Sequence, residues 1–561
     1  MHRCDARSLG LRQGCECAEL KHRGWDSFAA NSAGVVGRLP ERNLKWEVAI
    51  ATEVELKLSA RPADLPQLKR ALVEMAPGSV SSQERLISTY YDTQDLALKQ
   101  RGLTLRIREQ AGRFIQTVKA GDLAGANILS RGEWEDALAD NRLDPEAPQS
   151  GAQLPPGVAG ELRPIFVTDV MRTTVEIEPV PGTQIEAAID EGEIRVVGGD
   201  AVEPISEIEL ELMSGDAAGL YDLALRLLDR APIRIETRSK SERGYRLVEE
   251  VEAAPPVFHT EPVALDPDVT VEAALQKIGR SCLAHLLRNE AAALSAQPEG
   301  VHQMRVAVRR IRSAVSSLKE VLPAEDRHWV AEELDWLGGA LGPARNLDVF
   351  ASELLQAAHA DLQDEPGWDD LAAVLDRLRR AAYDRVGVEI LSERYPATML
   401  RLLRWFEAGG WRGHAQSEAT ALLSCPISGI APRVFDRRRR RVRRLGKGFD
   451  RLTPRERHKL RIATKKLRYT NELFGSLFDE DDLRKFVGRL KRLQDDLGYA
   501  NDVRVAHDFV TELFAQIDPR GPAARAWIGV LEWHDQVLAR GERKLRKHLD
   551  RLNRATPFWR G

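Results

Sequence analysis

At 561 residues the chain exceeds what a single hydrophobic core organises, so two or three domains are expected. Hydrophobic residues make up 43% and charged residues 30%, which excludes a wholly disordered chain, and no run approaches the ~20 apolar residues of a membrane-spanning helix. The net charge of −3 hides an asymmetry, because residues 271–561 hold 51 Lys and Arg against 40 Asp and Glu whereas residues 1–270 hold 31 against 45.

Residues 1–48 show no sustained periodicity and are expected to be disordered, or an upstream extension from a misassigned start codon. They lack the apolar segment of a signal peptide, so a cytoplasmic protein is expected. The five cysteines (Cys4, Cys15, Cys17, Cys282 and Cys425) form neither a disulfide framework nor a paired zinc knuckle. From residue 49 to 252 the texture is β, with alternating runs at Thr52–Ser59, Leu103–Glu109, Val170–Glu178 and Ile205–Leu212. Amphipathic helices are predicted near Leu65–Met75 and Gly219–Arg230. Residues 253–270 carry four prolines and read as a linker. From 271 to 555 the pattern is helical, broken at Pro323, Gly342-Pro343 and Pro396. The fold class expected is therefore multidomain α+β: an antiparallel β domain followed by an all-α part.

That helical part repeats itself, as two segments of about 271–400 and 425–555. Val301-His302-Gln303-Met304-Arg305 returns 156 residues later as Arg457-His458-Lys459-Leu460-Arg461, and the turn expected at Leu341–Asp348 is echoed at Leu497–Asp502. A duplicated helical bundle would account for this.

In the β domain, Glu53, Glu55 and Lys57 share one face of a strand, and the same period of two recurs in Arg106 with Arg108, in Arg131 with Glu133 and Glu135, and in Glu207, Glu209 and Glu211. One such face is ordinarily the wet side of a sheet. Four of them, mixing both signs, suit an enclosed polar lumen: paired carboxylates are what a hard divalent cation requires, and Arg and Lys are what phosphate oxygens require.

These residues resemble the CYTH domain of the triphosphate tunnel metalloenzymes. The likeness runs in order from Glu53-x-Glu55-x-Lys57 through Tyr90-Tyr91-Asp92-Thr93, Leu103–Arg108, Thr117-Val118-Lys119, Ser130–Glu135 and Ala188-Ile189-Asp190 to Glu207–Leu212 and Ser239–Tyr245. It implies a closed antiparallel β-barrel, or tunnel, that hydrolyses or cyclises triphosphates. It further implies Glu53, Glu55, Glu207 and Glu209 as metal ligands, with Asp190 and Glu211 as additional ones, for two Mg²⁺ or Mn²⁺ ions. Lys57, Arg106, Arg108, Lys119, Arg131, Arg172 and Lys240 would bind phosphate, and Glu53, Glu55 and Lys57 would be catalytic. No Ser-His or Cys-His pairing is evident there, and the nearest histidine, His259, is in the linker, which favours water as nucleophile.

In the helical part His302, Arg305, Arg309 and Arg312 are spaced 3, 4 and 3 apart and form one helical stripe, matched by His458, Arg461, Lys465 and Arg468. Arg310 and Lys466 adjoin them. Cations stacked in this way repel, so a stripe duplicated with its histidine points to a polyanion rather than to solvation alone. The segment resembles the CHAD domain, which implies polyphosphate binding in a basic groove between the bundles, with association with polyphosphate granules as a consequence. The arginine run at 437–441 lacks interleaved aromatics, which weighs against nucleic acid. The reading is a tripolyphosphate hydrolase joined to a polyphosphate-binding module. The alternatives are thiamine or nucleoside triphosphatase activity, including adenylate cyclisation, and a non-catalytic polyphosphate-binding protein.

Overall fold

The computed structural model describes residues 54–76, 79, 81–120, 132–249, 254–414, 421–515 and 517–560. The expectations for residues 1–48, including Cys4, Cys15 and Cys17, and for Glu53 and Arg131 lie outside the described residues.

The first part is one antiparallel sheet of nine strands: β1 Glu55–Ala60, β2 Ser82–Asp92, β3 Leu103–Gln110, β4 Arg113–Ala120, β5 Gly132–Leu138, β6 Arg163–Val180, β7 Thr183–Val196, β8 Val202–Ser214 and β9 Ile233–Ile235. Their order is β5-β4-β3-β2-β6-β7-β8-β1-β9. The expectation of a closed barrel needs correcting at the level of the backbone, because among the described residues no ladder joins β5 to β9. The sheet nonetheless curls. Lys119, on the second strand of that order, acts electrostatically on Glu55, on the eighth.

Alternation explains the curl. The convex face carries Leu56, Leu58, Val175, Ile177, Ile189, Ile208 and Leu210, buried beneath helix α1 (Leu65–Met75) and a later helix, Ala218–Leu228. The opposite parity carries the charged residues, which cannot be buried without partners and therefore line a polar trough. Helix Lys240–Val248 crosses one end of that trough on β6 and β7 and packs Tyr245 with Leu86, Tyr90, Phe166, Val170 and Ile205. Contact there is close: a Cβ built on Gly244 would stand 2.2 Å from Phe166 Cε2. Gly244→Ala is expected to cost ~1–3 kcal/mol, the usual penalty of overpacking, as measured by chemical denaturation.

Among the described residues the second part, from Val271 to Arg554, is built of helices. Two of its long helices correct the expected turns, since Leu341–Asp348 lies inside helix Ala324–Val349 and Leu497–Asp502 inside helix Glu480–Phe514. Pro343 sits within the first of these. Gly342 has a local use instead: a Cβ there would approach Arg305 Nη1 to 3.0 Å, so the glycine lets that arginine lie against the helix.

Residues 254–270 do not hang free. Phe258 and Asn289 exchange hydrogen bonds of 3.0 and 2.9 Å, Gln297 donates to the Pro255 carbonyl, and Ser476 joins the backbone of Val263 and Leu265. Residues 51–561 form one compact unit, with a hydrophobic core that runs from the convex face of the sheet into the helices. Arg404 of helix Arg394–Glu407 grips Asp222 through two bonds of 2.6 and 3.0 Å, and Arg234 of β9 donates to the Ile390 carbonyl at 3.0 Å. Among the described residues no helix is long and apolar enough to cross a membrane.

Candidate functional site

Strand register decides which of the predicted residues meet. Lys57 pairs with Glu209, Glu207 with Asp190, Asp190 with Arg172, and Arg172 with Glu84. Across the sheet, Tyr90 pairs with Arg106, Arg106 with Thr117, Thr104 with Lys119, and Lys119 with Glu133. Paired residues in an antiparallel ladder point to the same side, so all of these line the trough.

One wall gathers carboxylates. Asp190, Glu207 and Glu209 each offer an oxygen within 4.8 Å of the others, and Asp190 and Glu207 are 0% and 1% exposed. Four cations neutralise them. Lys57 lies 2.8 Å from Glu209, Arg172 forks onto Asp190 at 2.7 and 2.6 Å and reaches Glu209, Lys240 meets all three, and Arg243 lies 3.1 Å from Glu207. Burial alone would raise Glu209, but Lys240, Lys57 and Arg172 hold it well below the usual carboxylate range. Asp190 is likewise lowered, its burial overcome by Lys240 and Arg172. Glu55 differs: burial, and then the Glu209 charge, hold its carboxyl above the usual value. It lies 3.9 Å from Lys57 and outside the triad. Glu211 pairs in register with Glu55 and is also outside the triad. An oxygen-only set of three clustered carboxylates is the donor chemistry that Mg²⁺ or Mn²⁺ takes, so the residues present fit such an ion.

The other wall is cationic and short of anions. Arg106, Arg108 and Lys119 project from β3 and β4; Lys119 bonds Glu133 at 2.7 Å and Arg106 lies 3.6 Å from the same carboxylate. The buried Nε atoms of Arg106 and Arg108 have no partner. Burial and the neighbouring Arg106 bring Arg108 down to about 10. Burial opposes ionisation of Tyr90, but Arg106, with Arg108 and Lys240, pulls its phenol below the ordinary value. Unsatisfied, desolvated guanidinium groups are what an incoming polyanion would relieve.

Tyr90 and Arg243 were not singled out as site residues from the sequence, nor was the helix that carries Lys240. The signal was present: Ser239 and Glu242 form a capping box, the S-x-x-E pattern that opens a helix, and it fixes Lys240 at the first helical position.

In the helical part the two predicted stripes do face each other, on helices Pro298–Ser317 and Pro454–Phe474. Arg309 Nε donates to the Tyr469 hydroxyl at 2.6 Å. Arg305 interacts with Arg309, Arg345 and Arg312, and burial with those charges lowers it to about 10. Burial, Arg461 and Arg309 lower Lys465 to about 7. Burial and Arg345 lower His302 to about 4. The Nε atoms of Arg305, Arg312, Arg461 and Arg504 and the Nδ1 of His302 are buried without partners. Lys466 interacts with Arg438, Arg441 and Arg312, and Arg468 bonds Glu472 at 2.8 Å. His458 Nδ1 donates to Asn501 Oδ1 at 2.9 Å, whereas His302 faces Arg345, the residue 156 positions before Asn501.

Arg310 corrects the predicted set. It is 0% exposed, turned a third of a turn away from the stripe, and donates to the Glu261 carbonyl of the 254–270 segment. Adjacency in sequence is not adjacency on a helix. Arg345, Arg504 and Tyr469 join the groove instead.

Comparison with known proteins agrees with both regions. The family model described as CYTH domain matches residues 51–245, and that described as CHAD domain matches residues 277–511. An inorganic triphosphatase of Haemophilus influenzae is 33% identical over 204 residues, or 35% of this chain and 54% of that protein, so the chain spans about half the length of this curated relative. An uncharacterized protein of Mycobacterium tuberculosis is 24% identical over 467 residues, covering 76% of this chain and 82% of that one. Among solved structures, the CHAD domain from the plant Ricinus communis is 29% identical with a TM-score of 0.46, covering 54% of this chain and 98% of that one.

Proposed function

We propose, from the premise that this chain carries a CYTH domain followed by a CHAD domain, that it hydrolyses inorganic triphosphate in the sheet's trough and binds polyphosphate in the helical groove. The observation that carries the first half is one trough with two walls: a triad of carboxylates faces guanidinium groups whose buried Nε atoms have no hydrogen-bond partner. The related protein's name, inorganic triphosphatase, supports the choice of substrate.

Asp190, Glu207 and Glu209 would hold Mg²⁺ or Mn²⁺, with Glu55 at the start of β1. Such an ion, when bound, supplies charge neutralisation at phosphate oxygens and acidifies a water. Arg106, Arg108 and Lys119 bind the phosphate chain and oppose the charge that grows on the bridging oxygen as the terminal phosphoryl group leaves. Burial strengthens each of these contacts, because little water competes in the trough. Tyr90 orients Arg106, to which it is paired across β2 and β3. Lys57 and Arg172 hold Glu209 ionised. Residues 54–249 contain neither His nor Cys, so the attacking group is water rather than a protein nucleophile of those kinds. Phosphate release from tripolyphosphate, thiamine triphosphate and ATP, assayed side by side with and without Mg²⁺ and Mn²⁺, tests this. Release from tripolyphosphate only with metal is expected; release from none of the three would sink the reading.

For the groove, a linear polyanion needs a track of cations, and the facing stripes supply one. Its pH dependence follows from Lys465. Below pH 7 that ammonium is already protonated in the free protein; above it the amine is neutral, and a bound polyanion would draw the proton back. Polyphosphate binding is therefore expected to weaken as pH rises through about 7 and, at pH 8, to take up protons. Calorimetry in buffers of different ionisation heat reads this uptake directly. Lys465→Arg should abolish the step, and an unchanged step in that variant would refute the assignment.

A further inference from the structure

Lys240 stands where the carboxylates would take a cation. Its Nζ lies 2.7 Å from Asp190 Oδ2 and 2.9 Å from Glu209 Oε1, and also contacts Glu207 Oε1. Among the described residues it is the one cation that touches all three members of the triad. Lys57 reaches Glu207 and Glu209, Arg172 reaches Asp190 and Glu209, and Arg243 reaches Glu207.

We propose that Lys240 is an internal stand-in for the divalent ion, closing the triad to metal in the free protein and moving to the triphosphate when substrate arrives. The proposal rests on the metal-dependent reading of the trough given above. Three observations support it. First, an ion bound at ~2.0–2.6 Å from the same oxygens would occupy the ammonium's own position, so both cannot be held together. Second, the carboxylate charge is already more than balanced: three carboxylates meet four cations, Lys57, Arg172, Arg243 and Lys240, so a further two positive charges without an anion leave the buried site strongly cationic. Third, Lys240 is placed to move. It is the first residue of its helix, on a flexible four-carbon stem, and it acts electrostatically on Tyr90, the residue paired with Arg106 on the opposite wall. A triphosphate on Arg106 and Arg108 would thus draw the ammonium across and open the triad. Metal and triphosphate then bind as a coupled pair, each raising the affinity of the other.

The test is Mn²⁺ binding to the full chain, by electron paramagnetic resonance of free Mn²⁺, with and without a non-hydrolysable imido-bridged triphosphate. Wild type is expected to bind Mn²⁺ weakly alone and on the order of tenfold more tightly with the analogue. Lys240→Gln should bind Mn²⁺ alone on the order of tenfold more tightly than wild type and gain less from the analogue. Lys240→Arg, which keeps the charge, should behave as wild type. Equal affinity of wild type and Lys240→Gln for Mn²⁺ alone overturns the proposal and leaves the metal reading standing. Absence of Mn²⁺ binding by every form, analogue included, overturns the metal reading and the proposal with it. Should Lys240→Gln melt early because its carboxylates lose a partner, Mn²⁺ alone must restore its melting midpoint, and failure to do so also overturns the proposal.

Discussion

Glu209→Gln is expected to reduce phosphate release from tripolyphosphate by on the order of 10²–10³-fold, the scale of losing one preorganised electrostatic element in a dry site. Three features make this position the most sensitive. Glu209 belongs to the carboxylate triad; among the described residues it is the one carboxylate contacted by Lys57, Arg172 and Lys240 together; and those cations hold it ionised well below the usual range. An amide keeps the size and hydrogen-bonding atoms but removes the charge. The stability cost should be smaller than the ~3–5 kcal/mol of an orphaned buried charge, because Arg172 retains Asp190 and Lys240 retains Asp190 and Glu207. Steady-state phosphate release beside a denaturant titration separates the two effects. Near-normal turnover in a folded Glu209→Gln protein would remove the triad from the reaction.

Reversing charge at both Arg309 and Lys465 is expected to weaken long-chain polyphosphate binding by on the order of 10²-fold and to flatten its dependence on salt by roughly one to two units of slope. The two residues come from opposite helices and interact with each other, and Arg309 is fixed by Tyr469 at 2.6 Å. The free protein should tolerate the change, since it relieves repulsion among Arg305, Arg309, Arg461 and Lys465. Anisotropy of labelled polyphosphate over a range of salt concentrations gives both affinity and slope. A slope identical to wild type would mean that the polyanion lies elsewhere.

These two experiments address separate surfaces of one compact body. The Arg404–Asp222 pair and the shared hydrophobic core join the sheet to the helices, so the 254–270 segment is not the only connection between them. That segment reads as a linker because four prolines break its periodicity. In the structure its backbone is satisfied by Asn289, Gln297 and Ser476, three side chains remote in sequence.

Much of the trough was legible from period alone. Alternation in Glu55–Lys57, Arg106–Arg108 and Glu207–Glu211 fixes which side chains share a face of a strand, because the chain's own stereochemistry imposes a period of two. The 3, 4, 3 spacing of His302, Arg305, Arg309 and Arg312 does the same for a helix. Local rules of this kind cannot tell how separate segments meet. Register brought Asp190 opposite Glu207 and Lys57 opposite Glu209, and the curl of the sheet brought Lys119 to bear on Glu55. The open ends at β5 and β9, the burial of Arg310 beneath residues 254–270, and the seating of Lys240 among three carboxylates were decided the same way. Each depends on free energy shared between groups far apart in sequence, through packing, desolvation and charge. Sequence determined which chemistry this protein carries on each face; only the tertiary structure determined which charges are paired and which are left wanting an anion.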